Sequence, residues 1–272
     1  MFQSLEEIIN KCNCEKKRFW KIIMEDDMQE RNVKADSSYQ QMKDTWDAML
    51  LAAANYDKNK KSASGLIGGD GYKMEEYLKN NQCLCGDFLG QVIAGSLQMG
   101  ESNACMKRIV AAPTAGACGV LPAILIPYFK ASKNTDHIAY RASISGAQGG
   151  CQAEIGSASA MAAGALVYLE GGKDAEIVEA AAMALKNLLG LVCDPVAGLV
   201  EVPCIKRNVC GAVNAVSSAE MALAGITSRI PADQVIDAMK ELGDKMDASL
   251  KETGLGGLAA TAFGKEITNK II

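Results

Sequence analysis

The chain has 272 residues, of which 49% are hydrophobic and only 5% aromatic, and its formal net charge is −4. This apolar content excludes a disordered chain, and the acidic balance argues against a nucleic-acid binder, which would present a basic face. Glycine (26 residues) and alanine take the place of ring side chains, which favours close helix packing or close approach of the backbone to a ligand.

The first 61 residues carry a large share of the charge and predict helices at the surface. Ser4 and Glu7 form a capping-box pattern ahead of an apolar stripe. A second amphipathic stretch runs from about residue 15 to residue 30, and apolar residues between Trp46 and Ala53 recur at helical spacing. Residues 58–70 are rich in Lys, Ser and Gly and predict a loop.

Residues 62–272 predict a more buried helical body. Residues 155–169 carry no charge and many alanines, which indicates a helix buried on all sides. Asp174 is a candidate N-cap for the next helix, and Gly190 is a candidate stop.

The last predicted helix begins near Pro231 and places Val235, Met239 and Leu242 on one face before Gly243. No alternating run of β-branched residues stands out anywhere in the chain. We therefore predict an all-α fold, with one domain over residues 1–272 and Gly-rich turns between its helices.

One segment, residues 109–129, is uncharged and long enough to span a membrane. It contains Pro113, Pro122 and Pro127, which would leave backbone groups unpaired in lipid. We interpret it as protein interior and expect no membrane contact. Residues 1–10 lack the pattern of a signal peptide, so we expect a cytoplasmic protein with reduced thiols.

Three Gly-rich stretches lack periodicity: residues 62–70, 113–119 and 143–151. Glycine is costly inside helices, so such clusters mark turns where backbone N–H groups can face a ligand. None matches the phosphate-binding or dinucleotide pattern, so nucleotide binding is poorly supported. Tight turns between helices are the alternative for any one cluster.

The chain has ten cysteines and one histidine, His137, so zinc sites that need several histidines cannot be built from it. His137 lies in a polar stretch and is expected at the surface. Six cysteines are expected to be exposed or packed thiols and not ligands, because Cys-X-Cys pairs suit zinc poorly and free cysteine is usually a small buried residue. They are Cys12, Cys14, Cys83, Cys85, Cys105 and Cys118. The charged context of the first pair, Cys12 and Cys14, predicts exposed thiols, and Cys105 and Cys118 are expected to be small residues near a packed turn.

Cys151, Cys193 and Cys204 differ because they stand at turns beside helix ends, where thiolates form and are aimed more easily. Three thiolates without histidine suit a soft metal centre. On a 4Fe-4S cluster, three protein ligands leave one iron open for a substrate oxygen, which is Lewis-acid chemistry. The alternatives are that all of these thiols pack, or that Cys210 completes a closed site.

The sequence resembles the α chain of bacterial iron–sulfur-dependent L-serine dehydratase from about residue 20 onward. The matching stretches are residues 62–70, 111–119, 143–156, 193–208 and 251–260. The segment Glu101-Ser-Asn-Ala-Cys-Met106 departs from the family pattern.

The resemblance implies an α-helical domain that holds a 4Fe-4S cluster through Cys151, Cys193 and Cys204 and uses no pyridoxal phosphate. It implies conversion of L-serine to pyruvate and ammonia. Some relatives carry an extra N-terminal domain that this chain lacks, so the resemblance also implies a separate β chain and a hetero-oligomer.

The resemblance and the geometry of the turns also indicate where serine binds. Backbone N–H groups around Ser64-Gly65 and Thr114-Gly116, with Asn103, are candidates to hold the substrate carboxylate and amine. Lys206 and Arg207 either neutralise charge at the site or form a solvated pair.

Because histidine is scarce, we expect the catalytic base to come from the β chain. A related cysteine desulfidase and a non-catalytic subunit stabilised by a closed metal site remain as alternatives.

Overall fold

The computed structural model describes residues 2–80, 83–132 and 151–271, and the regular structure within these ranges is helical. Their α-helices are α1 Leu5–Glu15, α2 Phe19–Arg31, α3 Ala35–Ala54, α4 Asp70–Asn80, α5 Gly86–Ala104, α6 Leu121–Ser132, α7 Cys151–Leu169, α8 Asp174–Lys186, α9 Cys204–Leu223, α10 Ala232–Lys245 and α11 Ala262–Ile271. Within the same ranges there is no strand, and one isolated parallel bridge joins Cys193 to Lys251. The all-α prediction is confirmed.

Helix α7 lies in the core, and most of its 19 residues are buried. Glycines let its neighbours come close. A Cβ atom at Gly211 of α9 would lie 2.6 Å from Ile155 of α7, and one at Gly164 of α7 would lie 3.2 Å from Ile177 of α8. The prediction of a helix buried on all sides is confirmed, and close packing against α8 and α9 fixes the position of its first residue.

The N-terminal cap of α1 differs in one bond from the predicted capping box. The Ser4 hydroxyl accepts a hydrogen bond from the Glu7 N–H at 3.0 Å, as expected. The Glu7 carboxylate accepts instead from the N–H of Gln3, at 2.9 Å. The helix therefore begins where predicted, with the reciprocal bond displaced by one residue.

Helices α1 and α2 share a small apolar core made by Ile8, Cys12 and Ile22. Cys12 is buried there, so the expectation that the first cysteine pair is exposed is wrong for Cys12 and correct for Cys14. The apolar stripe of α1 takes in Cys12, whereas Cys14 is turned to the opposite side of the same helix.

Asp174 is not the N-cap of α8. It is the first helical residue, and Lys173 occupies the cap position. The Asp174 carboxylate accepts hydrogen bonds from the side chain of Arg18, at 3.1 Å, and from the N–H of Phe19, at 3.2 Å. A contact with a distant part of the chain has replaced the local cap.

Two predicted helix features at C-terminal ends also need correction. Helix α8 ends at Lys186, four residues before Gly190, although Gly190 does adopt a positive φ of 82°. Leu242 is 41% exposed, so it does not share the buried face of α10, and the helix continues past Gly243 to Lys245.

Most of the uncharged segment 109–129 lies inside the protein, as predicted. It includes the 3-10 turn Ala115–Ala117 and the first nine residues of α6, and Val120 and Ile124 are fully buried. Among the described helices, none combines the length and the apolar character that a membrane span requires.

Candidate functional site

Three buried cysteines meet where three separate parts of the chain come together. Cys151 is the first residue of α7 and Cys204 the first residue of α9, while Cys193 lies in the extended segment between α8 and α9. Their exposed fractions are 1%, 6% and 4% respectively. The thiols of Cys151 and Cys193 share a hydrogen bond, and Cys204 is close enough to Cys151 for the two to interact electrostatically.

The three thiols differ in how easily they lose a proton. The hydrogen bond with Cys193 and the nearby Arg207 guanidinium lower the pKa of Cys151, although burial acts in the opposite direction. The same hydrogen bond raises the pKa of Cys193, and burial raises the pKa of Cys204 to about 12. Cys151 is thus the thiol that this environment ionises first, at the positive end of α7.

Arg207 is the cation beside the three buried cysteines. One of its terminal nitrogens lies 3.7 Å from the Cys151 sulfur and 2.8 Å from the carbonyl oxygen of Val192. The same nitrogen forms an ion pair with Asp194 at 2.7 Å, and both side chains are largely buried. The Asp194 carboxylate also accepts a hydrogen bond from the N–H of Leu258 at 2.7 Å.

The neighbouring Lys206 faces another way. It is 61% exposed and pairs with Asp70 at 2.7 Å on the surface. The two predicted roles for this basic pair are therefore divided: Arg207 lies at the thiols, and Lys206 is solvated.

The Gly-rich turn at residues 113–119 packs against the same place. The Asn208 amide group of α9 donates to the carbonyl oxygens of Gly116, at 2.6 Å, and Cys204, at 3.0 Å. The Asn208 oxygen accepts from the N–H of Gly119 at 2.8 Å. One buried amide thus fixes this turn to the helix that begins with Cys204.

Glu154 faces this turn from α7. Its carboxylate accepts hydrogen bonds from the Thr114 hydroxyl and from the N–H of Gly116. A Cβ atom at Gly116 would lie 2.6 Å from a Glu154 oxygen, so a larger residue there would displace the carboxylate from its present position. Burial raises the pKa of Glu154, and its charge in turn acts on Cys151 and Cys204.

A second buried carboxylate, that of Glu201, is hydrogen-bonded to the loop at residues 62–70. The hydroxyls of Ser64 and Ser62 donate to the same Glu201 oxygen, at 2.5 Å and 3.2 Å. Gly65 turns the chain there with a φ of 75°. Because Glu201 stands three residues before Cys204, this contact brings the loop to the start of α9.

Asn103 joins the same region from the end of α5, because its amide group donates to the carbonyl oxygen of Ala115 at 3.1 Å. The structure therefore places the sequence-predicted residues Ser64, Asn103, Thr114 and Gly116 on elements that converge beside the three cysteines. Gly65 lies with Ser64 on the loop bound to Glu201.

Sequence reasoning missed Glu154, Asp194, Glu201 and Asn208. Glu154 carried a usable signal, since it is the only charged residue in the otherwise uncharged helix α7. The other three resemble ordinary polar residues in the sequence, and only the fold shows that they are buried beside the cysteines.

Several other candidates lie elsewhere. Cys210 is exposed on α9, apart from the three buried thiols. His137 and residues 143–150 lie outside the described residues. A cavity of about 330 Å³ lined by Tyr128 and Glu170 opens at the far end of α7, about 27 Å from Cys151 along the helix.

No three His, Cys, Asp or Glu side chains within residues 2–80, 83–132 and 151–271 converge tightly enough to hold a single metal ion. An iron–sulfur cluster does not require the three sulfurs to meet at one ion, because each thiolate binds its own iron.

Comparison with known proteins identifies the family. Residues 14–259 match the family described as serine dehydratase alpha chain. The chain is 43% identical to the probable L-serine dehydratase alpha chain of Bacillus subtilis strain 168, over all of this chain and 95% of that protein. It is 38% identical to the L-serine dehydratase alpha chain of Peptoniphilus asaccharolyticus, over 98% of this chain and 97% of that protein.

L-serine dehydratase 2 of Escherichia coli K12 is 45% identical over 181 residues, which is 60% of this chain and 40% of that protein. The chain belongs to the serine dehydratase alpha chain family, and the resemblance stated from its motifs is confirmed.

The adjacent residues Arg207 and Lys206 give a direct test of the buried ion pair. Arg207→Met leaves the Asp194 carboxylate buried without its cation, and we expect it to lower the free energy of unfolding by roughly 3 kcal/mol. Lys206→Met removes a surface pair and is expected to cost less than about 1 kcal/mol. Urea unfolding measures both, and equal losses would contradict the assignment.

Proposed function

We propose that this chain is the α subunit of an L-serine ammonia-lyase, which converts L-serine to pyruvate and ammonia. The observation that carries the proposal is the meeting of three buried thiols with the Glu154 carboxylate at the starts of α7 and α9. The family supports the substrate, since the relatives above are named L-serine dehydratases.

The donor set fits a 4Fe-4S cluster. Cys151, Cys193 and Cys204 are soft ligands with little access to water, and Arg207 supplies positive charge beside them. When bound, such a cluster supplies a Lewis acid that polarises the serine hydroxyl and carries the charge of the leaving oxygen. The three cysteines would hold it, and Asn208 and the Arg207–Asp194 pair would fix the segments that present them.

The polar groups around the thiols suit the two ends of an amino acid. The N–H groups of Gly65 and Gly116 are already paired, with the Ser62 carbonyl oxygen at 2.9 Å and with the Glu154 carboxylate. We assign the N–H groups of Ser64 and Thr114 to the substrate carboxylate. The side-chain oxygen of Asn103 is assigned to the amine, because an ammonium needs an acceptor. Glu154 refines this assignment. A carboxylate that already accepts from Thr114 and Gly116 repels a second carboxylate and attracts an ammonium, so the amine is placed on this side.

The proton on the serine α-carbon requires a base, and we assign the base to a separate β chain. The α-chain names of the two full-length relatives support a partner. Residues 255–263, which include the Leu258 N–H bound to Asp194, also suit a surface for contact with the β chain. Two apolar side chains of this segment are exposed, Leu255 at 73% and Phe263 at 67%. After loss of the proton and the hydroxyl, aminoacrylate leaves the enzyme and hydrolyses to pyruvate and ammonia.

The activity is tested with α and β chains purified without oxygen and supplied with iron and sulfide. We expect the combined chains to form pyruvate and ammonia from L-serine faster than from L-cysteine, and the α chain alone to show no turnover. Full turnover by the α chain alone would contradict the β-chain base. Faster pyruvate formation from L-cysteine, with release of sulfide, would instead assign the chain to the desulfidases.

The role of Glu154 is tested by Glu154→Gln, which keeps the size of the side chain and removes its charge. We expect the KM for L-serine to rise on the order of tenfold to hundredfold, as is typical when a hydrogen bond to a charged group is lost, with unchanged iron content. Glu170→Gln, beyond the other end of α7, is the matched control and should leave KM unchanged. An unchanged KM in Glu154→Gln would remove this residue from amine binding.

A further inference from the structure

Two cysteines outside the proposed active site lie in contact with each other. Cys83 and Cys85 belong to a Cys-Leu-Cys segment just before α5, and their sulfur atoms are 3.3 Å apart. Cys83 is 9% exposed, whereas Cys85 is exposed to solvent. The proposed function uses neither thiol.

The chain contains a second Cys-X-Cys segment that serves as an internal comparison. Cys12 and Cys14 lie within α1, where residues two apart point about 200° from each other around the helix axis. Cys12 is accordingly buried against α2 and Cys14 is exposed. The spacing in sequence is the same for both pairs, so only the backbone decides which pair of sulfurs can meet.

The geometry at Cys83 and Cys85 is close to that of a disulfide. A disulfide requires sulfurs about 2.05 Å apart and Cα atoms within about 6.8 Å, and residues two apart are separated by at most about 7 Å. The sulfurs therefore need to approach by roughly 1.2 Å from their present 3.3 Å separation.

The surroundings leave room for this approach. Leu84, between the two cysteines, has a fully exposed side chain, so rotation of the segment breaks none of its packing. Gly86, which follows, has a φ of 75° and nothing near the position of a Cβ atom. The Cys83 sulfur sits over Gly90 of α5, where a Cβ atom would lie 3.3 Å from it.

We propose that Cys83 and Cys85 form a thiol–disulfide exchange site on the surface of this chain, which reacts with small-molecule disulfides such as glutathione disulfide. The exposed Cys85 thiolate attacks one sulfur of that disulfide and releases one glutathione thiolate. The deprotonated Cys83 then attacks the Cys85 sulfur of the mixed disulfide and releases the second. Two protein thiols are oxidised, one small disulfide is reduced to two thiols, and the two protons pass to the released thiolates.

This site is separate from the proposed serine site. Cys85 and Asn103 stand near opposite ends of α5, 18 residues apart, which corresponds to about 27 Å along a helix. Exchange at the pair can therefore be followed without reference to iron or serine turnover, and its failure would leave the proposed function unaffected.

The test equilibrates the full-length chain without oxygen in mixtures of reduced and oxidised glutathione, followed by acid quenching, alkylation and peptide mass spectrometry. We expect the peptide with Cys83 and Cys85 to become lighter by two hydrogens, with no attached glutathione. The peptide with Cys12 and Cys14 should form no internal disulfide in the same mixtures. A Cys83–Cys85 pair that stays reduced while exposed Cys14 or Cys210 becomes glutathionylated would overturn the proposal.

The order of attack is tested with single variants. In Cys83→Ser the second step is blocked, so we expect Cys85 to accumulate as a stable mixed disulfide with glutathione, to at least tenfold the wild-type level. In Cys85→Ser the buried Cys83 should remain largely unmodified. Equal glutathionylation of Cys85 in the wild type and in Cys83→Ser would contradict a resolving role for Cys83.

Discussion

The buried ion pair between Arg207 and Asp194 is the interaction on which the thiol site depends. Three cysteine sulfurs gather in a region with little water, where any thiolate that forms needs a nearby positive charge. Arg207 supplies that charge to Cys151, and Asp194 holds the guanidinium in place. Asp194 is held in turn by the N–H of Leu258, so the C-terminal segment is part of the same arrangement. A carboxylate that is fixed from two sides makes the position of the cation, and hence the ionisation of the first thiol, a property of the fold.

Small residues in the core explain why the thiols can meet at all. Helices α7 and α9 begin with Cys151 and Cys204, and the two helices approach closely because Gly211 leaves space for Ile155. A bulkier residue there would push the helix starts apart. The same device recurs at Gly116, which makes room for the Glu154 carboxylate beside the turn. The composition that first suggested close packing, rich in glycine and alanine and poor in rings, is therefore linked directly to the geometry of the site.

Much of this architecture is predictable from the sequence, for identifiable reasons. Helix α7, which carries no charge after Glu154, and the Gly-rich turn at residues 113–119 have strong local signals, and the cysteines are recognisable because they stand beside helix ends. Tertiary contacts account for the misses. The Asp174 carboxylate binds Arg18 and Phe19 and does not cap its own helix, and Glu201 is buried where Ser62 and Ser64 of a distant loop bind it. Cys83 and Cys85 show the same limit, since their spacing equals that of Cys12 and Cys14 while their sulfur atoms are in contact.

The iron and sulfide content of single cysteine variants, measured after reconstitution without oxygen, shows which thiols hold the cluster. We expect four irons and four sulfides per wild-type chain and a loss of most of both in Cys151→Ser, Cys193→Ser and Cys204→Ser. Cys210→Ser should retain both in full, because its thiol is exposed on the same helix as Cys204. Circular dichroism in the far ultraviolet shows whether each variant remains helical. Wild-type iron content in any of the first three variants, or no iron in the wild-type protein, would show that these three thiols do not form one cluster site.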